Sequence, residues 1–273
     1  MMVNLEEKLQ GLKASGKKGL IVYITAGYPD YSATLEAVLA MEKEGADVVE
    51  IGIPFSDPIA DGPVIQKAAT LALKAGATTT KSIQLIKEIR KQSAIPLVVM
   101  TYVNSILGYG MEKFIAAFAE AGINGLIVPD LPIEESPLLE NICHKEGISL
   151  IQLIAPTSTT NRIHNISQKA QGFLYCVSNT GVTGVRNIDY SQIGSVIAKA
   201  RQSTEIPMAI GFGIGSPEGA AAAAQYADAV IVGSAILEKL TTEGVTGVRT
   251  LVRSIRERLD EESGYCEDSS KSK

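Results

Sequence analysis

Short apolar runs bounded by Gly, Pro and Asp recur along the chain, and stretches with helical periodicity fill the gaps between them. The runs lie near 20–26 (LIVYITA), 47–53 (DVVEIGI), 96–101 (PLVVMT), 125–129 (GLIVP), 149–154 (SLIQLI), 172–177 (GFLYCV), 207–211 (PMAIG) and 228–233 (DAVIVG). Runs rich in β-branched residues, with little polar alternation, are the mark of strands buried on both faces. Ser32 to Glu44, Lys81 to Lys91 and Met111 to Ala121 are among the helical stretches between them. Strand and helix alternating eight times predict a single (β/α)8 TIM barrel. The competing architecture is a doubly wound open sheet, which usually has fewer strands and a glycine fingerprint after the first of them; that fingerprint is missing. Met1 to Lys18 sets Leu5, Leu9 and Leu12 among Glu6, Glu7 and Lys8, an extra N-terminal amphipathic helix rather than an export signal. The last helix is expected from about Ala235 to about Leu259. The barrel domain therefore covers 1–259, and the acidic, serine-rich tail 260–273 is expected to lack fixed structure.

Composition narrows the function. The chain has 273 residues, enough for one α/β barrel, which typically takes about 250. No run approaches the roughly 18 apolar residues of a membrane span, and a cytoplasmic protein is expected. A formal charge of -5 without a basic stripe argues against nucleic acid as the main partner. Cys143, Cys176 and Cys266 are odd in number and widely spaced, so neither a disulfide framework nor a metal site is expected. His144 and His164 are the only histidines, and both fall in polar helical stretches, which leaves no basis for a histidine triad or metal centre.

Acid/base chemistry is the natural reading of residues 48–63, VVEIGIPFSDPIADGP. Glu50 ends a strand where an ionised carboxylate is costly unless it is exposed or partnered. Its alternatives are catalysis at the barrel mouth or an ion pair with a nearby Lys or Arg. Asp61, before Gly62-Pro63 and a helical run, reads equally as a helix cap or as a catalytic group. Asp57 has the setting of an ordinary turn. Glycines follow the seventh strand (Gly211-Phe212-Gly213-Ile214-Gly215) and the eighth (Gly233-Ser234), the two loops that form the recurrent phosphate site of such barrels. The loop after the sixth strand, through Thr183 and Gly184, reads as a lid or as a connection without a duty. Cys176 lies in an apolar strand and is expected to pack.

These segments resemble the tryptophan synthase alpha subunit family from about Leu5 to Leu259. The resemblance rests on residues 48–63 together with Tyr23-Ile24-Thr25-Ala26-Gly27-Tyr28-Pro29, Gly125 to Pro132, Ala155-Pro156-Thr157, Gly181-Val182-Thr183-Gly184 and Gly211-Phe212-Gly213-Ile214, in the family's order. It implies retro-aldol cleavage of indole-3-glycerol phosphate to indole and glyceraldehyde 3-phosphate, with no metal or organic cofactor. Glu50 is then the acid/base at indole C3 and the side-chain hydroxyl, and Asp61 the acceptor for the indole N–H. Tyr23, Met100, Ile127, Leu153, Tyr175 and Phe212 would line the indole pocket, with Thr183 closing onto Asp61. Gly184, Gly213, Gly233 and Ser234 would hold the phosphate.

The resemblance also implies a beta subunit as partner in an alpha2-beta2 heterotetramer, with pyridoxal phosphate belonging to the beta subunit alone. Pro54, Asp57, Asn104 and Gly108 would meet that partner. Ser105 and Asn124 depart from the residues common in the family, proline and aspartate. Two other readings remain at this stage: a chain that chiefly activates its partner, and another phosphosugar barrel enzyme such as an isomerase or epimerase.

Overall fold

The computed structural model describes residues 3–177 and 190–269. The chain begins with α1 (Leu5–Ala14), β1 (Gly19–Thr25), α2 (Tyr31–Lys43), β2 (Val48–Gly52), α3 (Pro63–Lys74), α4 (Thr79–Arg90) and β3 (Leu97–Met100). It continues through α5 (Val103–Tyr109), α6 (Met111–Ala121), β4 (Gly125–Ile127), α7 (Pro137–Lys145), β5 (Ser149–Ile154) and α8 (Thr160–Lys169). β6 (Leu174–Val177), α9 (Ser191–Ala200), β7 (Met208–Gly211), α10 (Pro217–Ala224), β8 (Ala229–Val232) and α11 (Ser234–Ser269) complete it. The eight strands pair in parallel in chain order, and β8 closes onto β1, so the expected TIM barrel forms and the open sheet is excluded. Every strand expected from the apolar runs is present, with ends displaced by a residue or two.

The strand alternation sorts the core into two clusters. Ile21, Val48, Val98, Ile127, Ile151 and Phe173 point into the barrel, while their neighbours in sequence pack outward against the helices. The N-terminal helix supplies Leu5 and Leu9 to the interior cluster, so α1 closes the end of the barrel where the strands begin. Asn4 starts that helix by accepting the N–H groups of Glu6 and Glu7.

A repeated device holds that end. Asp47, Asn124 and Asp228, each directly before a strand, accept the N–H groups of Leu20, Leu97 and Met208 at 2.9 Å. Each also takes a guanidinium, from Arg256, Arg90 and Arg201 respectively. Asn124 fills this place as an amide, and its Nδ2 donates to the Val3 carbonyl at 2.9 Å, tying down the segment before α1. The departure at Asn124 therefore lies at the strand-start end, away from the mouth.

The helices differ from what the sequence announces in two places. The tail was expected to lose structure after Leu259, yet α11 continues to Ser269. Its acidic residues pair along the helix: Arg256 with Asp260 at 2.8 Å and Arg258 with Glu262 at 2.7 Å, both four residues apart. Asp260 and Glu262, read as the start of an unstructured tail, thus pair along a helix. The same helix is broken internally at Gly244, whose φ of 63° and ψ of -158° are not helical. Residues 103–109 also form a helix that no apolar periodicity announced; the Asp130 carboxylate accepts its first N–H, that of Val103, at 3.0 Å.

Candidate active site

The end of the barrel where the strands finish gathers most of the residues singled out in the sequence. Strand parity turns Tyr23, Glu50, Met100, Ile127, Leu153 and Tyr175 toward the interior, because each stands an even number of residues from an interior core position on its own strand. Tyr23 of β1 is level with Glu50 of β2. Both tyrosines lean toward the mouth: a Cβ on Gly52 would stand 2.0 Å from the Tyr23 hydroxyl, and one on Gly211 would stand 2.3 Å from that of Tyr175. Only glycine leaves room for the two phenols, which form a wall on either side of the acid. Met100 and Leu153 keep some exposure, as residues lining an open mouth should.

Glu50 is 2 % exposed, and its Oε2 has no hydrogen-bond partner. The ion-pair alternative is not realised, since among the described residues no Lys or Arg forms a salt bridge with it. Burial, reinforced by the nearby Asp61 charge, pushes its carboxyl up to about 8. Asp61 does not cap α3: the N-cap is Gly62, and it makes no side-chain cap bond. The cap alternative therefore falls, and the carboxylate is left to the mouth. Its main-chain N–H donates to the Pro58 carbonyl and its own carbonyl accepts the Gln66 Nε2 at 2.8 Å, which curls the loop inward. Burial raises the Asp61 carboxyl to about 6, against the neighbouring Tyr102 hydroxyl, which lowers it. Glu50 thus holds its proton more tightly than Asp61 does. Two carboxyls set apart in this way supply one acid and one anion to the same space.

The opposite side of the mouth carries the glycine loops. Gly213 has a φ of 75°, and the start of α11 at Ser234 follows Gly233 directly. A Cβ on Gly215 would lie 3.5 Å from Ala235 Cβ, so the two loops meet; one on Gly233 would lie 3.4 Å from Tyr23 Cβ, which joins them to the pocket wall. Backbone N–H groups at the beginning of a long helix favour an anion there. Phe212, expected in the pocket, is 40 % exposed and holds a φ of 83°, the only positive φ of a residue other than glycine among those described. A bulky residue in that region is strained, and such strain is typical of functional loops. Thr183 and Gly184 lie outside the described residues.

Of the expected partner contacts, Asp57, Asn104 and Gly108 are exposed and Pro54 is half-buried. Ser105 donates its main-chain N–H to the Tyr102 carbonyl inside α5. The most exposed large apolar side chains are Ile59 at 82 %, Leu138 at 63 % and Leu107 at 56 %. They sit on the connections after β2, β4 and β3, three neighbouring strands. Cys143 and Cys176 are buried, and burial pushes the Cys143 thiol up to about 12, so both pack rather than react. His144 and His164 are exposed on α7 and α8. No helix among the described residues is long and apolar enough to cross a membrane.

Sequence reasoning passed over Tyr102. It follows β3 directly, the position from which barrel side chains reach the mouth, and that placement was the available signal. Its hydroxyl accepts the Ala60 N–H at 3.1 Å, next to Asp61, while its ring stacks on Phe55 with centroids 5.2 Å apart.

Comparison with known proteins adds a family. The model of the family described as tryptophan synthase alpha chain matches residues 9–264. The chain is 47% identical over 260 residues to the tryptophan synthase alpha chain of Synechococcus elongatus, covering 95% of this chain and 98% of that one. It is also 47% identical over 240 residues to the protein of the same name from Alkaliphilus metalliredigens, covering 88% and 90%. Among solved structures, tryptophan synthase subunit alpha from Legionella pneumophila superposes with a TM-score of 0.87 at 35% identity, covering 96% of this chain and all of that one.

Proposed function

The chain belongs to the tryptophan synthase alpha chain family, a family of lyases that cleave indole-3-glycerol phosphate to indole and glyceraldehyde 3-phosphate, and we propose that Glu50 and Asp61 divide that chemistry. The observation that carries this reading is that Glu50 is buried with its Oε2 unpartnered, and that Asp61, freed from capping α3, stands near enough for its charge to raise the Glu50 carboxyl further. Protonated Glu50 gives its proton to indole C3. The ring becomes cationic, and the ionised Asp61 stabilises it by accepting a hydrogen bond from the indole N–H. Glu50, now a carboxylate, takes the proton of the side-chain hydroxyl. The bond from C3 to the side chain breaks, its electron pair returns to the ring, and the aldehyde of glyceraldehyde 3-phosphate forms. Glu50 ends the cycle protonated, so the sequence of steps draws on no metal or organic cofactor.

Around that pair, Tyr23, Met100, Ile127, Leu153, Tyr175 and Phe212 would hold the indole; three of them are buried and Met100 and Leu153 partly so, which suits an aromatic ring. Gly184, Gly213, Gly233 and Ser234 would take the phosphate at the far side of the mouth, with Thr183 closing over Asp61. The barrel domain works with a beta subunit, in our reading as an alpha2-beta2 heterotetramer of the cytoplasm that keeps pyridoxal phosphate in the beta chain. Pro54, Asp57, Asn104 and Gly108, beside the exposed Ile59 and Leu107, would form the contact. The test is release of glyceraldehyde 3-phosphate by the wild-type chain, Glu50→Gln and Asp61→Asn, each with and without the beta subunit. Loss of turnover by about a hundred-fold or more in both variants is expected of an acid/base and of a charge stabiliser. Turnover in Glu50→Gln within a few-fold of wild type would refute the assignment.

A further inference from the structure

Helix α5 and the loop that bears Asp61 are separate in sequence, yet one phenol joins them. Tyr102 is the N-cap residue of α5 and is 3 % exposed. Its hydroxyl takes the Ala60 N–H at 3.1 Å and so lies beside Asp61, whose carboxyl it holds down. Its ring lies on Phe55 at an interplanar angle of 22°, so the β2 loop grips it at two points. The next residue, Val103, is pinned through its N–H by Asp130 of the β4 loop at 3.0 and 3.3 Å. A rotation or slide of α5 therefore carries the Tyr102 ring with it, and the ring carries the Ala60–Asp61 peptide. The exposed Ile59 and Leu107 flank this junction, one on each segment.

We propose that Tyr102 is a positioning residue through which α5 sets the orientation of Asp61, so that a subunit seated on α5 and the β2 loop raises turnover by way of this phenol. The proposal rests on the reading of Asp61 as the charge-stabilising carboxylate and of α5 as part of the partner face. Asp61 is faced by Tyr102 from the β3–α5 junction, Glu50 from β2, Tyr23 from β1 and Tyr175 from β6; Tyr102 is in turn faced by Asp130 from the β4 loop. Of these, Tyr102 favours the ionised form of Asp61.

Tyr102→Phe keeps the ring and its stacking on Phe55 and removes only the hydroxyl, so the fold should survive. The experiment measures kcat and KM for indole-3-glycerol phosphate from pH 5 to 9, for the chain alone and with its cognate beta subunit. Tyr102→Phe is expected to lower kcat about ten-fold with KM nearly unchanged, and to move the acid limb of the profile upward by about one pH unit, because the hydroxyl that holds the Asp61 carboxyl down is gone. The factor by which the beta subunit raises turnover is expected to shrink at least three-fold. An acid limb and an activation factor equal to those of the wild type would overturn the proposal. A displaced limb with full activation would overturn the link to α5. Asp61→Asn runs alongside: if it keeps wild-type turnover, the role given to Asp61 fails and takes the proposal with it, an outcome separate from failure at Tyr102.

Discussion

Replacing Glu50 with glutamine should make the protein more stable, and increasingly so as pH rises. Glu50 is fully enclosed, one of its oxygens has no partner, and burial beside Asp61 raises its carboxyl from 4.5 to about 8. A raised acid favours the folded state only while protonated. Relative to a neutral isostere, the wild-type chain therefore loses stability as pH climbs past the ordinary carboxyl range, and the loss levels off above about 8. Proton linkage between those two values gives a gap of about 1 kcal/mol at pH 5, about 3 at pH 7 and about 5 at pH 9 in favour of Glu50→Gln. The amide fills the same space, so packing contributes little to the difference. Asp61 titrates in both proteins and largely cancels. Urea unfolding of both proteins at the three pH values, followed by circular dichroism, measures the gap directly. Two stability curves that run parallel from pH 5 to pH 9 would refute the claim that Glu50 is held as a buried, raised acid. The same variant should be inactive, so stability and turnover would part at one atom pair.

Two further outcomes follow from packing. Gly52→Ala sets a Cβ where the Tyr23 hydroxyl stands, 2.0 Å away, and should displace that ring; a stability loss of about 1–3 kcal/mol with a larger fall in kcat/KM is expected, and unchanged steady-state kinetics would count against Tyr23 as a pocket wall. Leu5→Ala opens the closed end of the barrel, since Leu5 is buried in the interior cluster; thermal unfolding should register a loss of about 2–5 kcal/mol while kcat at 25 °C stays near wild type, because the mouth lies at the other end.

Burial on both faces made the strands legible, because a parallel strand must be apolar throughout and the glycine, proline and aspartate that bound it are equally local signals. The carboxylate pair was legible for the opposite reason: Glu50 breaks such a run, and a charged residue in a buried strand demands an account. What stayed hidden depends on partners distant in sequence. Whether Asp61 caps a helix or faces a ligand turns on the geometry of Gly62, which takes the cap itself. Tyr102 gains its meaning only from Ala60 and Asp61, some forty residues earlier. Helix α5 is short, and it starts on a side-chain cap supplied by Asp130 from the next loop, so its periodicity could not announce it. The end of α11 was misjudged because acidic residues that suggest a solvated tail also suit four-residue pairing with Arg256 and Arg258.

The two carboxyls differ in how they are held, and the difference bears on where control can act. Glu50 belongs to β2, hydrogen-bonded on both sides to β1 and β3 inside a closed barrel, so its position can change only if the sheet does. Its proton affinity comes from burial, which the scaffold also fixes. Asp61 rides on a loop secured by side chains: Gln66 on its carbonyl and Tyr102 on the preceding residue's N–H. A small movement there changes both the direction of the carboxyl and its distance from the Tyr102 hydroxyl, which holds its proton affinity down. An acid that must be neutral at the start of the cycle is best made rigid, because any opening that admits water would lower its proton affinity toward that of a free carboxyl. The anion tolerates adjustment, since a rotation away from the indole nitrogen slows the reaction without spoiling the acid. Control that acts through the partner face is therefore expected to work on Asp61 and to leave Glu50 unmoved.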